Sequence, residues 1–226
     1  MPSNEYYARD GPPGRTLCQL SQQPPREVLM RPRRLLLQLL CLGPSATACI
    51  APPPSITYQA PLVAVRRPAD VETRWGEYRL EKTDTSYVYA DSLVRVTLVP
   101  NRGQFAFVLE NRTEHSLQIV WDEMAYVGPT GVSSRVSPGE TRVIDMEKAH
   151  PPTTVPAMAS VFKVAIPNDL LHTGSYGHWI EDFVTPATAV AAEGKEIRLL
   201  MPLRVRDVVN EYTFVFQLNA VTVTSP

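Results

Sequence analysis

Three cysteines in 226 residues, Cys18, Cys41 and Cys49, are too few to staple a small fold, so stability must come from an apolar core and not from a disulfide framework. No stretch approaches the roughly 20 apolar residues that a membrane-spanning helix needs. The run Leu35 to Leu42 is far shorter and is interrupted by Gln38. Positive charge is not in excess: 22 Lys and Arg face 23 Asp and Glu, and no basic run is interleaved with aromatics, which argues against nucleic acid as a partner. The four histidines show no H-E-x-x-H or comparable ligand spacing. Ser134, Ser137 and Ser175 stand in no nucleophile elbow, and no Gly-rich loop leads a strand into a helix, so hydrolase and nucleotide-binding readings lack support. No catalytic residue, metal site or cofactor is expected, and a metal-dependent hydrolase ranks last among the function readings.

What is present begins with an address. Met30-Arg31-Pro32-Arg33-Arg34 forms a positive start, Leu35 to Leu42 an apolar centre, Gly43-Pro44 a helix stop, and Ala46-Thr47-Ala48-Cys49 a small-residue cleavage site. This order resembles a bacterial lipoprotein signal peptide over residues 30–48. The resemblance implies diacylglycerol on the Cys49 thiol, cleavage after Ala48 and acylation of the new amine. Two or more acyl chains, at about 0.8 kcal/mol per buried methylene, would then make the membrane a permanent partner. Ala46-Thr47-Ala48 also satisfies the A-x-A rule of ordinary secretion, which cuts at the same bond and leaves Cys49 unmodified. Ile50 instead of Asp after the cysteine resembles outer-membrane sorting, so the expected location is the cell envelope, facing the periplasm or the cell surface. Residues 1–29, polar and Pro-rich, precede the signal; they read as a mis-assigned start with initiation at Met30, or as a cytoplasmic extension.

Beyond Ala48 the chain carries 16 Lys and Arg against 20 Asp and Glu, a net charge of −4, and Cys49 as its one cysteine. Residues 49–74, with Pro52-Pro53-Pro54, Pro61 and Pro68, suit an extended tether of roughly 3 Å per residue. Ile56 to Val65 reads alternatively as an edge strand. Residues 75–226 are enough for one domain.

There the hydrophobic period is two. Val94, Val96 and Leu98 alternate with Arg95 and Thr97; Phe105, Phe107 and Leu109 alternate within Gln104 to Glu110; Leu117, Ile119 and Trp121 alternate within Ser116 to Asp122, which should bury Trp121. Asn101-Arg102-Gly103 and Asn111-Arg112-Thr113-Glu114 supply turns between antiparallel neighbours. Asn111-Arg112-Thr113 also matches a glycosylation sequon, which a bacterial envelope protein would not normally use. Further strands are expected at Ala125 to Val127, Val132 to Val136, Arg142 to Ile144 and Ser160 to Ile166. Pro138-Gly139 fits the two central positions of a type II turn. Pro151, Pro152 and Pro156 confine their stretch to an edge or an extended crossing. Lys195 to Val205 with Glu211 to Thr224 suggests a closing hairpin that turns Phe214, Phe216 and Leu218 to the core. One short helix is expected, with Thr185 as cap, Pro186 at the first helical position and Gly194 past the end.

Eight or nine short strands with little helix predict an all-β fold: an antiparallel two-sheet β-sandwich, immunoglobulin-like in shape, with at most one short helix. A small barrel is the second choice. Phe107-x-Leu109-x-Asn111-x-Thr113, Ile119-x-Trp121-Asp122, Gly131-x-Ser133-x-Arg135-Val136 and Gly139 together resemble a pattern in uncharacterised bacterial β-sandwich lipoproteins. The likeness covers about a third of the chain after Cys49. It implies fold and compartment, and no catalytic residue.

Two acidic clusters invite chemistry and fail on spacing. Asp122 and Glu123 are adjacent, so a strand would point them to opposite faces, unlike the paired carboxylates of glycosidases. His172, His178, Asp169, Glu181 and Asp182 share a segment without a pattern that would gather them on one metal ion. The distinctive stretch is Gly174-Ser175-Tyr176-Gly177-His178-Trp179, where aromatics held between glycines can stack on a sugar or on a partner protein. Tyr176, His178, Trp179 and Asp182 are therefore the candidate binding residues for an envelope protein or a glycan. The competing reading packs Trp179 and Phe183 into the end of the sandwich.

Overall fold

The computed structural model describes residues 54–67, 76–83, 86–175 and 177–224. The candidate signal, Cys49 and Tyr176 lie outside these residues. Strands dominate what is described: β1 (Ser55–Gln59), β2 (Leu62–Arg66), β3 (Arg79–Lys82), β4 (Tyr87–Ala90), β5 (Val94–Asn101), β6 (Gln104–Asn111), β7 (Leu117–Ile119) and β8 (Ala125–Val127) come first. β9 (Ser133–Pro138), β10 (Thr153–Val155), β11 (Ser160–Pro167), β12 (Leu171–Gly174), β13 (Gly177–Ile180), β14 (Glu196–Val205), β15 (Val208–Gln217) and β16 (Asn219–Thr224) complete the set.

All pairings are antiparallel, as an all-β sandwich requires. One layer is built on β14, which carries β15 and then β2 on one edge and β7 and β8 end to end on the other. The facing layer runs β9-β11-β6-β5-β4-β3. β9 belongs to both: Ser133 to Arg135 pair with β8, and Val136 to Pro138 with β11, so the ladder turns a corner there and curls over itself. Its end strands, β2, β3 and β10, pair with no other end among the described residues, so the small barrel is not formed.

The core is where alternate residues of the two layers meet. Val94, Val96 and Leu98 of β5 and Phe105, Phe107 and Leu109 of β6 are buried, as are Leu199, Met201 and Leu203 of β14 and Phe214 and Phe216 of β15. Ring contacts join the layers directly: Tyr89 meets Tyr212 at 5.6 Å and Phe214 at 5.9 Å, and Phe105 meets Phe216 at 5.5 Å. Asp91, 3 % exposed, is the carboxylate among them. Its Oδ1 accepts the Leu93 and Val94 amides, each at 2.9 Å, and its Oδ2 accepts the hydroxyls of Tyr89 at 2.6 Å and Tyr212 at 3.0 Å.

Several expectations need correction. Residues 55–66 are not spacer, because β2 adds to β15 and β1 forms a ribbon with β16; the edge-strand alternative describes Ile56 to Val65 better. The chain leaves the sheet after Ile119, and Trp121 opens a 3-10 turn, yet its ring is buried and its Nε1 donates to Thr153 Oγ1 at 2.8 Å. Val143–Asp145 is a 3-10 turn and not a strand, with Ile144 80 % exposed, so no facing layer draws it into a ladder. Pro138 ends β9, and its carbonyl accepts Thr141 N at 2.9 Å, which makes it the first residue of the turn and not the second. The helix α1 is only Ala189–Ala192, bounded by Thr188, whose hydroxyl bonds back to Thr185 and makes no cap hydrogen bond, because Thr185 and Thr188 close a turn of their own before it. The closing hairpin breaks at Leu218, after which β16 departs to β1.

The Asn111 sequon has a structural use. Asn111 is fully buried, its Nδ2 donates to the carbonyls of His115, Val155 and Pro156, and its Oδ1 accepts Thr113 N at 3.0 Å.

Burial sets the pH response. Tyr58, Tyr89, Tyr126 and Tyr212 are all held above the ordinary phenol value of 10.0, first by desolvation and then by the carboxylates Asp182, Asp91, Asp169 and Asp91 respectively. A folded pKa raised above the unfolded one gives stability that is full below about pH 10 and is lost as pH rises beyond it, because only the unfolded chain ionises. The urea midpoint should therefore fall between about pH 8 and pH 11, with phenolate absorbance rising together with unfolding. Phenolate titration of all the tyrosines near their ordinary value in a still-folded protein would contradict this.

Candidate functional site

The stretch singled out in the sequence forms a short β-hairpin of its own. β11 ends at Pro167, Asn168–Leu170 makes one 3-10 turn, and β12 pairs with β13 in the register Leu171↔Ile180, His172↔Trp179, Thr173↔His178 and Gly174↔Gly177. Two attachments seat it on the sandwich: Ser134 Oγ donates to Asp169 Oδ1 at 2.6 Å, and Phe183 enters the core against Phe105 at 4.8 Å and Tyr126 at 5.7 Å. Glu181 N donates to Leu170 O at 2.7 Å and closes the hairpin's own base.

The β5–β6 turn supports that base from below. Arg102 and Gly103 both take positive φ, 41° and 73°, as a two-residue type I′ hairpin turn demands. Gly103 has a second reason to be glycine: a Cβ there would lie 1.9 Å from Glu181 O.

Strand alternation sorts the hairpin's side chains by face. His172, Trp179 and Glu181 share one face. Trp179 is 55 % exposed, its ring stacks on the His172 imidazole at 5.5 Å and 28°, and His172 Nε2 lies 2.9 Å from Glu181 Oε2. Gly174 leaves room for the indole, since a Cβ there would come within 3.0 Å of it. The result is a flat aromatic platform edged by an imidazole and a carboxylate. Such a surface can stack on a ring or an apolar side chain and accept hydrogen bonds beside it.

The four candidate residues are therefore not one cluster. Trp179 is on the platform, while His178 lies on the opposite face with its Nδ1 3.0 Å from Thr173 Oγ1. Asp182 turns toward β1, where its Oδ1 accepts the Tyr58 hydroxyl and Phe183 N. Tyr176 lies outside the described residues. Of the two residues that the packing alternative placed in the sandwich end, Phe183 is core and Trp179 is surface. His172 and Glu181, which are not among the four candidate binding residues, are the side chains that complete the platform. His172 and His178 point to opposite faces and cannot converge on one ion, and no group of three candidate ligands occurs among the described residues.

The other acidic pair is structural. Asp122 Oδ1 accepts His150 N at 2.9 Å and the Arg135 guanidinium at 3.0 Å, and Glu123 lies 3.7 Å from Arg204. A buried Ser–His contact escaped the sequence reading: Ser137 Oγ lies 3.0 Å from His150 Nε2 and donates to Asn168 Oδ1 at 2.7 Å. The Ser137 hydroxyl also lies 3.3 Å from Met146 O, so the contact with His150 is part of a buried hydrogen-bond network. It ties β9 to the 3-10 turns on either side. Spacings of 13 and 31 residues gave no signal of this cluster.

No protein-family model, no curated protein and no solved structure matches this chain.

Gly103→Ala should unseat the hairpin. Hydrogen exchange at the Glu181 amide should accelerate, and stability should fall by about 1–3 kcal/mol from strain and displaced contacts. Unchanged exchange at that amide would mean that the hairpin does not depend on this turn.

Proposed function

We propose that the chain is a lipid-anchored protein of the bacterial cell envelope, held at the outer membrane through Cys49, whose β-sandwich serves as a non-enzymatic interaction or assembly module. The anchor is inferred from the signal-like order of residues 30–49. One observation carries the interaction reading: the Trp179 ring stands 55 % exposed on a hairpin fastened at its base. An aromatic presented in this way loses little entropy on binding, and such residues dominate interfaces. A protein partner would cover the Trp179–His172 platform, and Glu181 would accept a donor at its edge.

A carbohydrate-binding role for the same platform is the second reading. It is favoured by the flat stacking surface beside groups that can accept hydroxyl protons.

The test uses the full chain expressed in a bacterium that processes lipoproteins. Membrane-extracted protein should have the mass of residues 49–226 plus acyl chains, and Cys49→Ala should abolish the lipid. Trp179→Ala should leave the melting temperature within about 2 °C, a loss below ~1 kcal/mol, while removing its in-cell crosslinks to envelope proteins. Glycan-array binding that is lost in the same variant would favour the sugar reading. A soluble, unacylated form would contradict the anchor, and crosslinks indifferent to Trp179 would contradict the platform.

A further inference from the structure

A separate cleft of about 310 Å³ opens at the foot of the hairpin, between β1, the β5–β6 turn, Tyr87 and the Asp182-Phe183 step. That is room for a small molecule and little more. Its apolar surface comes from Ile56, Ala60, Tyr87 and Phe183. Its polar surface carries two opposite charges, Asp182 and Arg102, which do not pair with each other.

Each charge is held by its own element. Asp182 Oδ1 is occupied by the Tyr58 hydroxyl and by Phe183 N at 2.9 Å, whereas Oδ2 has no partner among the described residues. Burial and the neighbouring carboxylate keep the Tyr58 phenol protonated, so it remains a donor that fixes the Asp182 carboxylate. Arg102 is presented from a turn position with a φ of 41°, which few side-chain-bearing residues adopt, and its guanidinium likewise makes no hydrogen bond or ion pair among the described residues. A guanidinium and a carboxylate close together normally pair. Here both line one cleft without forming an ion pair, so a molecule that carries both an anion and a cation can meet one at each.

We propose that this cleft binds a small zwitterion of the α-amino-acid type. The ligand carboxylate meets the Arg102 guanidinium, whose planar fork suits it. The ammonium meets Asp182 Oδ2, and the ligand side chain lies on the apolar surface of Ile56 and Tyr87. The site is independent of Cys49 and of the Trp179 platform.

The test is calorimetric titration of the full chain with free L- and D-α-amino acids, one at a time, each accompanied by its matched amine and its matched carboxylic acid. At least one amino acid should bind saturably at one per chain, with its amine and its acid each about tenfold weaker or worse, a difference of ~1.4 kcal/mol. Arg102→Gln should weaken the amino acid but not the amine, and Asp182→Asn should weaken the amino acid but not the acid. Asp182→Asn also disturbs Tyr58, so Arg102→Gln, an exchange on an exposed turn, carries the test if the other variant unfolds. Absence of saturable binding by every amino acid would overturn the proposal. So would equal binding of the matched amine and acid, or an affinity unchanged by Arg102→Gln.

Discussion

Asp91 is the residue on which the arrangement of the two layers turns. A carboxylate removed from water is tolerated only when its oxygens are satisfied, and here each oxygen takes two donors. Oδ1 shapes the β4–β5 connection through the Leu93 and Val94 amides, and Oδ2 reaches Tyr89 in its own layer and Tyr212 in the facing one. The Asp91 carbonyl also accepts the Arg112 guanidinium at 2.5 Å, which ties the end of β6 to the same point. Apolar packing supplies most of the driving force, but it is nondirectional. The shared carboxylate gives the facing sheets one relative position.

The features offered for binding depend on that position. The β5–β6 turn must meet Glu181 O closely enough to exclude a Cβ, and Phe183 must reach Phe105 and Tyr126. Both contacts hold the base of the hairpin while leaving Trp179 outside. The same turn presents Arg102 to the cleft, and β1 presents Tyr58 to Asp182. Two short segments, one ahead of the main body of the sandwich and one late in the chain, thus meet over a turn in its middle.

The strands legible in the sequence are those whose two faces differ. β5, β6, β14 and β15 each have one face on the core, so the alternation of Val94-Arg95-Val96 or Phe105-Ala106-Phe107 reports their geometry directly. β4 gave no such signal, because Val88 is covered on the outer side as Tyr89 is on the inner. β12 and β13 show no such alternation in the sequence, because a two-stranded ribbon has little core to face. Val143-Ile144 misled in the opposite direction, since apolar residues on an exposed 3-10 turn imitate a short strand. At the candidate site, composition located the hairpin and its tryptophan. It could not reveal that Asp182 turns to β1 or that His172 and Glu181 join the indole, because those partners follow from strand register and from a contact 124 residues apart.

The most direct test of this account is a double-mutant cycle of Asp91→Ala and Tyr212→Phe, followed by equilibrium unfolding in urea. If the carboxylate links the layers, Asp91→Ala alone should cost about 3 kcal/mol or more through orphaned donors, and the pair should couple by at least about 1 kcal/mol. Strict additivity within about 0.5 kcal/mol, together with a small cost for Asp91→Ala, would mean that packing alone sets the register of the two sheets and that Asp91 does not link them.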